Sequence, residues 1–143
     1  MKLREVMTRP VIRIHPDESV AVAARTLAHY NIGILAVCGS DGRLCGLVTD
    51  RDLVTRCMAA GRSAANTTVR DVMTSQVVSV RPDLDSSEAA DLMGREQIRR
   101  LPVVENGRLC GMVSLGDLAV QGGSSLEAGD ALAGISSTVS SRR

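Results

Sequence analysis

The sequence predicts a mixed α/β fold, two pseudo-symmetric β-α-β-β-α units packed together and followed by a C-terminal tail. Three observations carry this reading: an internal duplication, a switch of hydrophobic period inside each copy, and hairpin turns at equivalent places. Residues 6–37 align without gaps on residues 72–103, and 11 of the 32 pairs are identical. After a one-residue length difference, residues 42–53 match residues 107–118 at 8 of 12 positions. Self-similarity on this scale marks a repeated supersecondary unit. The organisation is repeat one over 1–60, a linker over 61–70, repeat two over 71–121, and a Gly/Ser/Ala-rich stretch over 122–143.

Each element follows from a local signal. Residues 11–14 and 77–80 are rich in β-branched side chains, and each run leads to a Pro-Asp pair, Pro16-Asp17 and Pro82-Asp83. Helices are expected next, because Ala23, Ala24 and Leu27 share one face, as do Ala89, Ala90 and Met93. Asp85 with Glu88 three residues later has the spacing of a capping box. Hairpins then join 34–37 to 44–48 and 101–104 to 109–113, with Asp41-Gly42 and Asn106-Gly107 at their tips. The extra residue in copy one predicts a three-residue turn over 40–42. A final helix over 50–60 stops at Gly61. In the tail, Ala128, Ala131, Leu132 and Ile135 have helical spacing, so it is either a short docked helix or free chain.

Composition narrows the function. The chain has 143 residues, enough to bury roughly 68% of the surface its unfolded form exposes. Lys and Arg total 17 against 16 acids, so nothing in the charge predicts attraction to nucleic acid or an anionic membrane. Phe and Trp are absent and Tyr30 is the single tyrosine, which excludes an aromatic stacking platform for single strands. Any bound base must lie among aliphatic side chains and backbone. No apolar run reaches the roughly 20 residues that span a bilayer. The N-terminus carries Lys2, Arg4 and Glu5 and does not read as a secretory signal, so a cytoplasmic protein with reduced thiols is expected. Cys45 and Cys110 hold equivalent strand positions, which suits core packing. Cys38 lies near Cys45 across the turn, leaving a zinc or redox role as a minor alternative; no metal ligand set is assigned. No Ser-His-Asp or Cys-His context and no Gly-rich phosphate loop occurs, so no catalytic residue is assigned.

One pattern ends both hairpins: Gly-hydrophobic-Val-(Thr/Ser)-x-x-Asp-Leu, with Thr49 and Asp52 in copy one and Ser114 and Asp117 in copy two. A hydroxyl followed three residues later by an acid is the signature of a helix cap. The same groups also suit a nucleoside, since a carboxylate can accept from both ribose hydroxyls and the Thr or Ser hydroxyl can hold the sugar or its phosphate. A hydrogen bond to a charged group contributes roughly 1.5–3 kcal/mol, enough for one Asp to decide binding.

With its two Val-Met-Thr openings, the Pro-Asp pairs, the strands Ile-Gly-Ile-Leu-Ala-Val and Ile-Arg-Arg-Leu-Pro-Val, and the doubled (Thr/Ser)-x-x-Asp, the chain resembles the CBS-domain family over about residues 3–121. The resemblance implies two CBS units forming a Bateman module with two clefts, each able to take an adenosine moiety. The first cleft would use Thr49 and Asp52 with Val77, Val78, Ile98, Arg99 and Arg100. The second would use Ser114 and Asp117 with Val11, Ile12, Ile32, Gly33 and Ile34. Arg99-Arg100 stand where copy one has Gly33-Ile34, and arginine suits bidentate phosphate contacts. The first cleft is therefore expected to bind a phosphorylated adenosine more tightly. The resemblance further implies a regulatory, non-catalytic module that senses AMP, ADP, ATP or S-adenosylmethionine, needs no cofactor, forms a homodimer and signals to a partner protein. Ala36 in place of the strand proline Pro102, and Leu115-Gly116 in place of Asp50-Arg51, keep open a structural CBS dimer without a ligand.

Overall fold

The computed structural model describes residues 1–121 and 125–141, and the chain divides into two compact units. The first holds Ile12–Val77 with the hairpin tip Gly107–Leu109; the second holds Met1–Val11, Val78–Asn106 and the chain from Cys110 onward.

The first unit is built on a three-stranded sheet of β1 (Arg13–Ile14), β2 (Ile34–Cys38) and β3 (Leu44–Thr49). β1 runs parallel to β2, and β2 antiparallel to β3. Helix α1 (Val20–Tyr30) connects β1 to β2. Ser19 caps its start by accepting from Val22 N–H at 3.2 Å, and Asn31 ends it in the left-handed region at φ 54°. Helix α2 (Asp50–Asp52) runs on as a π-helical turn over Leu53–Met58, and Gly61 stops the chain at φ 71°. Helix α3 (Val69–Val72) completes the unit. Ala23, Leu27, Leu35, Val37, Val48 and Val69 are among the buried side chains between sheet and helices.

The second unit repeats the plan. Helix α4 (Ser86–Glu96) precedes β4 (Arg100–Glu105) and β5 (Arg108–Ser114), then come α5 (Leu115–Val120) and α6 (Ser125–Ser141). The two-residue hairpin turn has both central residues at positive φ, Asn106 at 55° and Gly107 at 80°, the type I′ geometry that matches strand twist. Leu3, Val6, Ala90, Met93, Leu101 and Leu118 lie in its core, joined by Ala128 and Ala131 of α6.

Several expectations are corrected. The first strand of copy one shortens to two residues, and its counterpart in copy two shrinks to a single parallel bridge between Val80 and Val103. The turn over 40–42 is as expected, closed by Gly39 N–H on Arg43 O at 3.0 Å, with a register irregularity between Val37 and Cys38 beside it. Asp85 caps α4 through Ser87 N–H at 2.9 Å with no return bond from Glu88. The Ser87 hydroxyl and N–H, with the Met1 ammonium, hold the Asp85 carboxyl at about 2. The tail forms α6, longer than a short docked helix; residues 122–124 and 142–143 lie outside the described part. Ala24 is exposed whereas Ala90, its repeat equivalent, is buried.

The compact units are offset from the sequence repeats. Thr74, from the opening of repeat two, exchanges two backbone hydrogen bonds with Leu47 of β3, at 3.0 and 2.9 Å. Thr8, from the opening of repeat one, does the same with Met112 of β5, at 2.8 and 3.1 Å. Residues 67–69 likewise bond to residues 18–20, and residues 1–3 to residues 84–86. Each opening segment thus completes the unit that holds the other repeat's hairpin. A glycine makes room at both places: a Cβ on Gly46 would stand 2.5 Å from Thr74 O, and one on Gly111 would stand 2.6 Å from Met7 Sδ.

Adding a methyl group at a close backbone approach forces the segment away. Gly46→Ala should lower the unfolding free energy by about 1–3 kcal/mol. Gly116→Ala should be neutral or stabilising, because its Cβ would be 3.7 Å from Ser114 Oγ and α5 gains a better helix former. Urea unfolding of the two variants checks the pair.

Candidate functional site

Thr49 ends β3 in extended geometry (φ −115°, ψ 163°), and Ser114 ends β5 in the same way (φ −106°, ψ 159°). That conformation turns each hydroxyl back over the following helix start. Thr49 Oγ1 accepts from Asp52 N–H at 3.1 Å, while Thr49 N–H donates to Asp52 Oδ2 at 2.9 Å. Ser114 Oγ accepts from Asp117 N–H at 3.0 Å, and Ser114 N–H donates to Asp117 Oδ2 at 3.1 Å. Both pairs are therefore reciprocal capping boxes. The cap does not use up the chemistry. Each box occupies Oδ2 and one lone pair of the hydroxyl, so Oδ1 and the hydroxyl proton are left for other partners.

The two pairs differ in what surrounds them. Asp52 is buried, and its Oδ1 lies 3.7 Å from Arg56 Nε. Arg56 Nη1 also donates to Val72 O and Met73 O, at 3.0 and 3.2 Å, and lies 3.3 Å from Thr74 Oγ1. This arginine ties the helix after the first pair to the opening segment that completes its unit. Copy two has Gln121 at the equivalent position, and Asp117 is half-buried with no ion pair among the described residues. Sequence reasoning passed over Arg56; its spacing of four from Asp52 was the available signal.

Strand entries meet the same helix starts. Asp50 N–H donates to Gly33 O at 3.1 Å in the first unit, and Leu115 N–H donates to Arg99 O at 2.8 Å in the second. The structure thus brings Thr49 and Asp52 together with Gly33, and Ser114 and Asp117 together with Arg99. The sequence-expected sets draw on both units. Ile12, Ile32, Gly33, Ile34 and Val77 belong to the first unit with Thr49 and Asp52, and Val11, Val78, Ile98, Arg99 and Arg100 belong to the second with Ser114 and Asp117. Ile12, Gly33, Ile34 and Val77 are half-buried, as are Val11, Val78 and Ile98; Ile32, Arg99 and Arg100 are exposed.

The remaining polar candidates do not gather. None of the four cysteines is in a disulfide, and burial pushes the Cys38 thiol up from its ordinary range, against the pull of Arg13. Among the described residues, no group of three or more His, Cys, Asp or Glu is placed to hold a metal. No described helix is long and apolar enough to cross a membrane.

Comparison with known proteins points to one family. The family model for the CBS domain matches residues 3–59 and 69–121. The CBS domain-containing protein YhcV of Bacillus subtilis is 40% identical over 134 residues, 94% of each chain. The crystal structure of Hypoxic Response Protein I with two coordinated zinc ions superposes at TM-score 0.78 and 31% identity, covering 85% of this chain and 98% of that one. The hexameric CBS-CP12 protein from bloom-forming cyanobacteria superposes at TM-score 0.72 and 27% identity, covering 85% and 71%.

The boxes themselves are testable without a ligand. Thr49→Ala and Ser114→Ala should each cost about 1 kcal/mol of stability through the lost cap. Denaturant melts of the two variants give the values.

Proposed function

The chain belongs to the CBS-domain family, and from that premise we propose that it is a non-catalytic regulatory module that binds an adenosine-containing nucleotide and signals to a partner protein. The observation that carries this reading is the doubled hydroxyl–acid box. At two equivalent places a fixed carboxylate keeps Oδ1 and a neighbouring hydroxyl, the donor–acceptor set that a ribose diol needs. Aliphatic side chains, with no Phe or Trp in the chain, leave a base to lie against residues such as Ile12, Ile34, Val78 and Ile98.

The arrangement within the units supports a different ranking of the two pairs from the one the sequence suggested. The Arg99 carbonyl accepts from Leu115 N–H at the helix start after Ser114, and its side chain is exposed, so we take its guanidinium as the phosphate partner of that pair. Asp52 already has Arg56 near its Oδ1 and lacks an arginine on its strand entry, which is Gly33. We therefore assign the phosphorylated ligand to the Ser114–Asp117 pair and a weaker or less charged ligand to Thr49–Asp52. Self-association is part of the same reading, supported by the assembly named for the CBS-CP12 neighbour, which is hexameric.

Calorimetric titration with AMP, ADP, ATP and S-adenosylmethionine tests the assignment. Asp117→Ala should weaken the phosphorylated ligand about ten- to a hundredfold, the span of one hydrogen bond to a charged group. Arg99→Ala should weaken AMP, ADP and ATP but spare unphosphorylated adenosine, while Asp52→Ala should leave the tight site intact. Loss of tight binding in Asp52→Ala with Asp117→Ala unaffected would reverse the ranking. Heat from none of the four would favour the ligand-free structural role.

A further inference from the structure

The helix after the first hydroxyl–acid pair differs from its repeat equivalent in two ways, and both meet at one side chain. After Asp52 the chain leaves α-helical geometry for the π-helical turn over Leu53–Met58, whereas Leu115–Val120 is an ordinary α-helix. Such turns are rare and occur frequently at functional sites. Arg56 stands in the turn, and its repeat equivalent is Gln121, past the end of α5. The Arg56 guanidinium is shared between two elements. Nε faces Asp52 Oδ1 at 3.7 Å, while Nη1 donates to Val72 O at 3.0 Å, Met73 O at 3.2 Å and Thr74 Oγ1 at 3.3 Å. One planar cation therefore spans the open oxygen of the carboxylate and the segment that pairs with β3 through Leu47.

We infer that Arg56 is a latch: a ribose hydroxyl that takes Asp52 Oδ1 releases the guanidinium and loosens the pairing of Thr74 with Leu47. Asp52 Oδ2 is committed to Thr49 N–H at 2.9 Å, so the oxygen left for a ligand is the one that Arg56 faces. The Asp52 side chain is 13% exposed, which sets hydroxyl and guanidinium in competition for the same side of the carboxylate. Arg56 is 48% exposed, and Asp52 is its ionic partner; the three other acceptors are neutral and compete with water for the cation. Losing the carboxylate thus weakens the hold on residues 72–74 as well. That segment tolerates little movement, since a Cβ on Gly46 would stand 2.5 Å from Thr74 O. The Ser114–Asp117 pair has the same box without the arginine, so occupancy there is not passed to the Thr8–Met112 pairing. The first pair is the responsive one and the second only binds.

The trigger rests on the nucleotide reading, but the latch does not, so the two fail separately. Amide hydrogen exchange of the full chain without ligand reads the latch. Asp52→Asn keeps an oxygen for Thr49 N–H and turns an amide N–H toward Arg56. It should raise exchange of the Leu47 and Thr74 amides about tenfold, the loss of one hydrogen bond to a charged group. Arg56→Met should do the same, and the double variant should go no further than either alone. Asp117→Asn should leave the Thr8 and Met112 amides unchanged. Wild-type exchange in Asp52→Asn, additive effects in the double variant, or an equal rise at Thr8 and Met112 in Asp117→Asn would each overturn the latch. Adenosine reads the trigger on an Asp117→Ala background, which leaves the first pair to be measured alone. It should raise exchange at Leu47 and Thr74, and adding Arg56→Met should tighten adenosine about tenfold, because coupling is reciprocal. Adenosine that binds without changing exchange, or binds no tighter in Arg56→Met, would overturn the trigger. Adenosine that gives no heat would sink the nucleotide reading and the trigger with it, while the ligand-free exchange still decides the latch.

Discussion

The structure depends on a short backbone exchange. Thr74 pairs with Leu47, and Thr8 pairs with Met112, each through two hydrogen bonds beside a glycine of the receiving strand, and at Gly46 a Cβ would stand 2.5 Å from Thr74 O. Because the opening segment of each repeat lies in the unit built on the other repeat's hairpin, each unit draws backbone partners from both repeats. The order of the chain and the order of the fold are offset by about one opening segment. A duplication that only strung two domains together would have no such constraint.

The candidate site inherits that constraint. β3 and β5 carry the glycines in their middles and the hydroxyl–acid pairs at their ends, so the segment that completes the sheet also fixes where the helix after it begins. Arg56 makes the link explicit in the first unit, reaching from Asp52 to the backbone of Val72 and Met73. The pairs are stiff by construction: each carboxylate is oriented by a reciprocal cap. The cap uses Oδ2 and leaves Oδ1 outside the box, which is why spacing alone supports both readings.

Much of this was legible in the sequence, for identifiable reasons. The duplication, the helices at 20–30 and 86–96, and the type I′ turn at Asn106-Gly107 rest on local signals that tertiary context did not override. The exchange of openings was hidden, because two copies of Val-Met-Thr fit either hairpin equally well and an alignment carries no information on which one receives them. The strands at 11–14 and 77–80 were read too long, since β-branched residues mark a half-buried extended segment whether or not it has a ladder partner. Ala24 and Ala90 look identical in the sequence; α6 buries only one of them. Arg99 is grouped with Thr49 and Asp52 by the family resemblance, and within its own unit its carbonyl accepts from Leu115 N–H at 2.8 Å.

The offset between repeat and unit is the claim on which the others stand, and fragment folding tests it most directly. Circular dichroism and thermal melting would compare residues 1–60, one sequence repeat, with residues 12–77, the main segment of the first unit. The account predicts a cooperative transition for 12–77, which retains Thr74 and Arg56's backbone partners, and none for 1–60, which lacks them. A cooperative melt of 1–60 at a temperature equal to or above that of 12–77 would contradict it.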